Sequence, residues 1–167
     1  MEKKILVIDD NNDIRENTAE ILDLAGYKTY TAENGKAGVE MANREKPSVI
    51  ICDIMMPELD GYGVLYLLGK NPMTSGIPFI FLTAKAEKSD MRKGMSMGAD
   101  DYLTKPFEEM ELLNAVEARL KKNDVFRKEF SKNVEGLNEF LASAKGLEEL
   151  TRLSAERKPH HYKKKEA

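Results

Sequence analysis

A set of residues suited to phosphate and divalent-cation chemistry follows short apolar runs in this 167-residue chain. Asp9 and Asp10 follow the run at 4–8, Asp53 follows 49–52, Thr83 follows 78–82, and Lys105, locked to Pro106, follows a brief run ending at Leu103. Carboxylates gathered in one place repel each other, and a cluster of three is tolerable only around a cation. Magnesium suits it, being a hard, oxygen-seeking ion that takes few protein ligands and leaves room for water and phosphate oxygens. Lys105 offers a second positive charge, a point charge for a phosphate oxygen. The Thr83 hydroxyl can donate to another such oxygen, and Ala84 is small enough to leave Asp53 accessible. The set therefore holds an acceptor, a metal site, a hydroxyl donor and an ammonium donor.

Each member also has an ordinary structural reading. On spacing alone, Asp9-Asp10 reads as the N-cap of the helix that follows. A threonine after a strand is commonly a turn residue, and a lysine before proline is commonly a solvated charge. Asp53 resists such a reading, because a buried apolar strand ending in a carboxylate before Met55-Met56-Pro57 needs a partner. The ordinary readings must hold jointly to displace the functional one. Four strands delivering these types to one rim favours shared chemistry.

The elements that would position these residues alternate between strand-sized apolar runs and helical patterns over the first 122 residues, the signature of repeated βα units on a parallel sheet. Strands are expected at 4–8, 28–32, 49–52, 78–82 and 101–103. The helix after the first strand carries Ile14, Ala19, Ile21, Leu22 and Ala25 at helical spacing and stops at Gly26. A short second helix closes at Lys46-Pro47, because proline pushes its predecessor out of the helical region. Further helices are expected at about 61–69, 88–97 and 107–122, the last strongly amphipathic. Val49, Ile50 and Ile51 run without alternation, as in a central strand covered on both faces. In such open sheets function collects at the carboxyl ends of the strands.

Composition fits one well-buried domain with an appendage. The chain is 41% apolar and 33% charged, an ordinary balance for a folded domain. Its 26 basic and 29 acidic residues give a net charge of -3, which argues against binding nucleic acid through bulk electrostatics. No run is long enough to span a bilayer, and the first residues lead directly into a strand, so the chain reads as cytoplasmic. The single Cys52 reads as a small core residue.

Ile8-Asp9-Asp10, Ile51-Cys52-Asp53-Ile54-Met55-Met56-Pro57 with Asp60-Gly61, Leu82-Thr83-Ala84, and the stretch from Gly98 through Asp100-Asp101-Tyr102 to Lys105-Pro106-Phe107 together resemble the receiver domains of two-component response regulators. The resemblance runs from the start of the chain to about Lys122. It implies a flavodoxin-like (βα)5 doubly wound sheet with strand order 2-1-3-4-5. It makes Asp53 the phosphoacceptor, with magnesium held by Asp10, Asp53 and the Met55 carbonyl, and Asp9 contributing through water. Thr83 and Lys105 would bind the phosphoryl oxygens. Tyr102 would be the aromatic residue that turns inward when Thr83 moves, and Pro106 would follow a peptide bond commonly cis in that family. The implied partners are a sensor histidine kinase or phosphotransfer protein and a downstream output. Met55 and Lys85 occupy the two positions that tune the lifetime of the phosphorylated state. A methionine cannot position an attacking water, so slow dephosphorylation is expected.

Other classes compete less well. An aspartyl-phosphate phosphatase needs a second aspartate two residues after the nucleophile, where Met55 stands. A flavin-type cofactor binder is disfavoured by the acidic loop from Asp9 to Asp13. Beyond Lys122, Phe130, Val134, Leu137, Leu141 and Ala144 recur at alternating four and three spacing, while Gly136 and Gly146 weaken the pattern. This connector, 123–146, reads either as a dimerising seam or as a helix packed on its own receiver. Residues 147–167 read as a basic tail or as the opening of an output domain, resembling faintly the approach to a cyclic-nucleotide-binding barrel. His160 and His161 lack further ligands at metal-binding spacing. Any DNA contact would come through an output segment beyond this chain. Lys93, Asp100, Asp101 and Glu111 resemble the charged set through which winged-helix response regulators dimerise, but Ala115 stands where they carry arginine.

Overall fold

The computed structural model describes residues 2–84, 88–143 and 152. Along the chain run β1 (Lys4–Ile8), α1 (Asn12–Leu24), β2 (Lys28–Ala32), α2 (Gly35–Glu45), β3 (Val49–Asp53), α3 (Gly61–Lys70), β4 (Phe79–Thr83), α4 (Lys88–Ser96), β5 (Asp101–Thr104) and α5 (Glu109–Ala142). The strands are all parallel in the order β2-β1-β3-β4-β5, the doubly wound arrangement that the sequence implied.

Alternate side chains of the central strands leave on opposite faces and enter separate cores. On one face Leu6, Ile8, Ile50, Cys52, Phe79 and Phe81 pack with Ala42 of α2 and with Val64 and Leu68 of α3. On the other, Ile5, Val7, Ile51, Ile80 and Leu82 pack with Leu22 of α1 and with Leu112, Val116 and Leu120 of α5. Every residue of β3 is buried, which explains its unbroken apolar run. Each such side chain contributes roughly 1.5–3 kcal/mol on burial. The strand ends are therefore a firm platform for whatever they carry.

Three helices start directly at that platform, each with its own cap. Side chains of Asn11, Asn34 and Asp60 accept from the backbone N–H groups of Ile14, Ala37 and Gly63. Such a cap typically contributes about 1 kcal/mol. The capping reading of Asp9-Asp10 is thus corrected: the cap is Asn11, and the Asp9 carboxylate accepts from the Asn11 N–H at 2.9 Å. At the end of α2, Lys46 is left-handed (φ 45°, ψ 65°) and its N–H bonds to the Ala42 carbonyl before Pro47 turns the chain away.

The closing helix does not stop near residue 122 as expected. It runs on to Ala142, because nothing between 123 and 135 breaks it, and Gly136 costs only about 1 kcal/mol relative to alanine. The chain divides into two compact units, Met1–Lys122 and Asn123–Ala167. In the first, α5 buries Leu112, Ala115, Val116 and Leu120. In the second, Phe126, Phe130 and Leu137 are exposed, and the Phe126 and Phe130 rings stack with centroids 6.5 Å apart. Ala144, Gly146 and the expected tail at 147–167, apart from the exposed Arg152, lie outside the described residues, as does Lys85. Among the described residues no helix is long and apolar enough to cross a membrane.

Candidate functional site

Parallel strands place their carboxyl ends on one edge, and the order β1-β3-β4-β5 sets four of those ends side by side. Asp9 and Asp10 follow β1 and Asp53 ends β3, so each offers a carboxylate oxygen, and these oxygens lie within 4.8 Å of one another. Asp9 and Asp53 are buried while Asp10 is exposed. The Lys105 ammonium reaches this cluster from the end of β5, with Nζ 2.8 Å from Asp9 Oδ2 and 3.4 Å from Asp53 Oδ1. One ammonium against three carboxylates leaves the cluster negative. Burial, then the Asp9 charge, pushes the Asp53 carboxyl up to about 6, and Lys105 offsets only part of that rise. The surplus negative charge and the all-oxygen donor set fit a hard divalent cation with an open, water-accessible side at Asp10.

Backbone contacts hold the rim. The Asn11 N–H fixes Asp9 Oδ1, and Arg15 Nη1 donates to the Asp9 carbonyl at 2.8 Å. After Asp53, the Ile54 N–H bonds to the Leu82 carbonyl at 3.1 Å and the Gly61 N–H bonds to the Ile54 carbonyl at 2.9 Å. A Cβ on Gly61 would stand 2.4 Å from the Asp53 carbonyl oxygen and 2.9 Å from Ile54 Cα. Only glycine lets α3 begin so close to the acceptor strand. Met55, the expected carbonyl ligand and lifetime residue, has an exposed side chain.

The neighbouring strands bring the remaining candidates. Thr83 is buried at the end of β4, and its carbonyl accepts from the Lys105 N–H at 2.7 Å. The Lys105–Pro106 peptide bond is cis. Ala84 is exposed and, with Lys105, Pro106, Phe107, Asp13, Ile14 and Asn17, lines a cleft of about 560 Å³ that opens beside the rim. Tyr102 is half-buried, its ring 5.4 Å from that of Phe81. Cys52, the neighbour of Asp53, is fully buried, and burial together with the Asp53 and Asp9 charges pushes its thiol well up, so it stays protonated core.

The charged set expected at a dimer face is partly engaged within the domain. Lys93 Nζ lies 4.4 Å from the Tyr62 ring centroid, Asp100 Oδ2 accepts from the Phe79 N–H at 2.8 Å, and Asp101 Oδ1 accepts from the Tyr102 N–H. Glu111 is exposed, and Ala115 is buried in the α5 core. Sequence reasoning missed Asn11, Arg15 and the tight approach at Gly61. The spacing from Asn11 to Ile14 is a capping signal. Arg15, half-buried on the first turn of α1, carried none.

The fold and site together are an open parallel sheet with a carboxylate cluster and an ammonium at its carboxyl edge. The profile of the response regulator receiver domain matches residues 5–117. The chain belongs to that family, as a receiver domain of two-component signalling. It is 42% identical over 122 residues to a probable transcriptional regulator, ycf27, of Porphyra purpurea, covering 73% of this chain and 49% of that one. It is 39% identical over 125 residues to the alkaline phosphatase synthesis transcriptional regulatory protein PhoP of Bacillus subtilis (strain 168), covering 75% and 51%. The chain thus spans about half the length of the curated relatives it matches. Among solved structures, the Vibrio cholerae chemotaxis protein CheY4 superposes with a TM-score of 0.70 at 28% identity, covering 72% of this chain and 100% of that one. The Francisella response regulator 1452 receiver domain gives 0.68 at 34% identity, covering 73% and 99%.

Proposed function

We propose that Asp53 accepts a phosphoryl group from a sensor histidine kinase or phosphotransfer protein and that the resulting charge resets the face formed by α4, β5 and α5. The observation that carries this reading is the cluster of Asp9, Asp10 and Asp53 within 4.8 Å, with the Lys105 ammonium inserted among them. An Asp53 carboxylate oxygen attacks phosphorus, a P–O bond forms, and the donor atom leaves with the electron pair of the broken bond. Lys105 then exchanges its carboxylate partners for a phosphoryl oxygen, and the Thr83 hydroxyl donates to another. Magnesium, held by Asp10, Asp53, the Met55 carbonyl and, through water, Asp9, would neutralise charge on the phosphoryl oxygens when bound. The cleft beside Ala84 and Lys105 gives the donor an approach.

The added group carries roughly one to two negative charges and several acceptor oxygens. It shifts a two-state equilibrium only through its different contacts in the two states. Pulling Thr83 and Lys105 inward moves the ends of β4 and β5, and Tyr102 responds. The receiver has no substrate to turn over beyond its own acceptor, and the response is passed to an output, transcriptional by analogy with the relatives, in the cytoplasm. Acetyl phosphate with magnesium should add one phosphoryl group by intact mass, and Asp53→Asn should abolish it. Persistent labelling of that variant at another residue would overturn the assignment.

A further inference from the structure

A glycine inside a helix is destabilising relative to alanine, so a buried one calls for a packing reason. Gly94 of α4 is such a residue. A Cβ placed on it would lie 1.8 Å from the Tyr102 hydroxyl oxygen, 2.7 Å from Tyr102 Cζ and 2.9 Å from Phe81 Cε2. All three distances are shorter than side-chain atoms tolerate, and the first is shorter than any non-bonded contact.

The three partners differ in their freedom to yield. Phe81 is fully buried, with its ring packed edge-on against Phe79 and Tyr62. Gly94 is fixed through its carbonyl, which accepts from both the Met97 and the Ala99 N–H groups at 3.1 and 3.0 Å and so ties the end of α4 to the approach of β5. Withdrawing α4 would break those bonds. Tyr102 alone is half-buried on an edge strand, with solvent on one side. Any side chain at position 94 must therefore expel the tyrosine rather than the helix or the phenylalanine.

We infer that Gly94 is the notch that admits the inward Tyr102 ring, a positioning residue through which the state of the Asp53 rim is converted into the shape of the α4–β5 face. The atoms nearest a Cβ there belong to Tyr102 and Phe81, so it sets the equilibrium of the response without entering the chemistry. The inference rests on the reading of Tyr102 as the residue that responds to phosphorylation.

The test uses the full chain labelled with 3-fluorotyrosine, with the Tyr102 resonance identified by its loss in Tyr102→Phe. In the unsubstituted protein, acetyl phosphate and magnesium should label Asp53 and shift that resonance. In Gly94→Ala, labelling should still go to completion while the Tyr102 resonance takes one and the same position before and after labelling, displaced toward that of an exposed tyrosine. Failure of the unsubstituted chain to label at Asp53 would remove the underlying reading. Normal labelling with an unaltered Tyr102 response in Gly94→Ala would remove the notch alone. A thermal-melting cycle guards against a folding defect. Gly94→Ala should lower the melting midpoint with Tyr102 present and lower it much less in the Tyr102→Leu background, where only the Phe81 contact remains. An equal loss in both backgrounds would overturn the steric pairing.

Discussion

The backbone N–H of Lys105 donates to the carbonyl of Thr83 across 2.7 Å, so the ammonium and the hydroxyl proposed to meet a phosphoryl group stand on strand ends already bonded together. Motion of one is motion of the other. The ammonium is meanwhile tied to Asp9, which is fully buried.

Removing that ammonium should be costly. Lys105→Met leaves the Asp9 and Asp53 carboxylates facing each other without their cation, and breaking a buried pair from one side costs about 3 kcal/mol. Urea unfolding of the metal-free protein should show a loss of that size. Asp9→Asn in the same chain should restore much of it, whereas a loss unchanged in the double variant would show that the pair is not the cause.

The Asp53 carboxyl gives the metal-free protein a pH dependence of defined sign. Its folded value of about 6 lies above the usual 3.8, so the folded state holds the proton more tightly. Its contribution to stability is full below about 4, falls as the pH rises to about 6, and stays lost above. Asp53→Asn removes this penalty. The stability gained by the variant should be small near pH 4 and reach its plateau by pH 7, and a gain independent of pH would contradict the charge argument.

A divalent cation should reverse the penalty at neutral pH. Magnesium bound only by the folded state stabilises it by about 2.7 kcal/mol at a hundredfold excess over Kd. Calorimetry should show the midpoint rising with magnesium in the unsubstituted chain and responding much less in Asp10→Asn. An equal rise in both would place the ion elsewhere.

Gly61 tests the packing under the acceptor. A Cβ there meets two backbone atoms rather than a flexible side chain, so Gly61→Ala should destabilise by about 1–3 kcal/mol and slow labelling of Asp53 together. Stability lost with labelling at full rate would mean that α3 retreats without disturbing the acceptor strand.

Met55 should lengthen the signal. Its exposed thioether offers attacking water no strong hydrogen bond, so Met55→Asn should shorten the half-life of the phosphorylated chain measured by intact mass over time. An unchanged half-life would shift control of hydrolysis to other residues.

Much of this was legible in the residues because βα repeats write both strand position and strand end into local pattern. The strand at Lys4–Ile8 matched its expected bounds, and the unbroken run before Asp53 announced a strand covered on both faces. The capping of α1 was misassigned because Asp9, Asp10 and Asn11 are all good caps in a row, and only Lys105, ninety-six positions away, decides which carboxylate is diverted to the rim. The length of α5 was hidden for a different reason. Helical propensity continues past the last core residue, Leu120, without a sequence mark where burial ends. Gly61 stood out only as part of a motif and Gly94 not at all, because their packing roles lie in atoms of other elements.

The strand order separates two kinds of change. Carboxylates come from β1 and β3 at the centre of the sheet, whereas Thr83, Tyr102 and Lys105 come from β4, β5 and the loop after it, on one flank. On the proposed reading, substitutions on that flank outside Lys105, at Tyr102 for example, re-route the response while the carboxylates and the ammonium among them keep their charges.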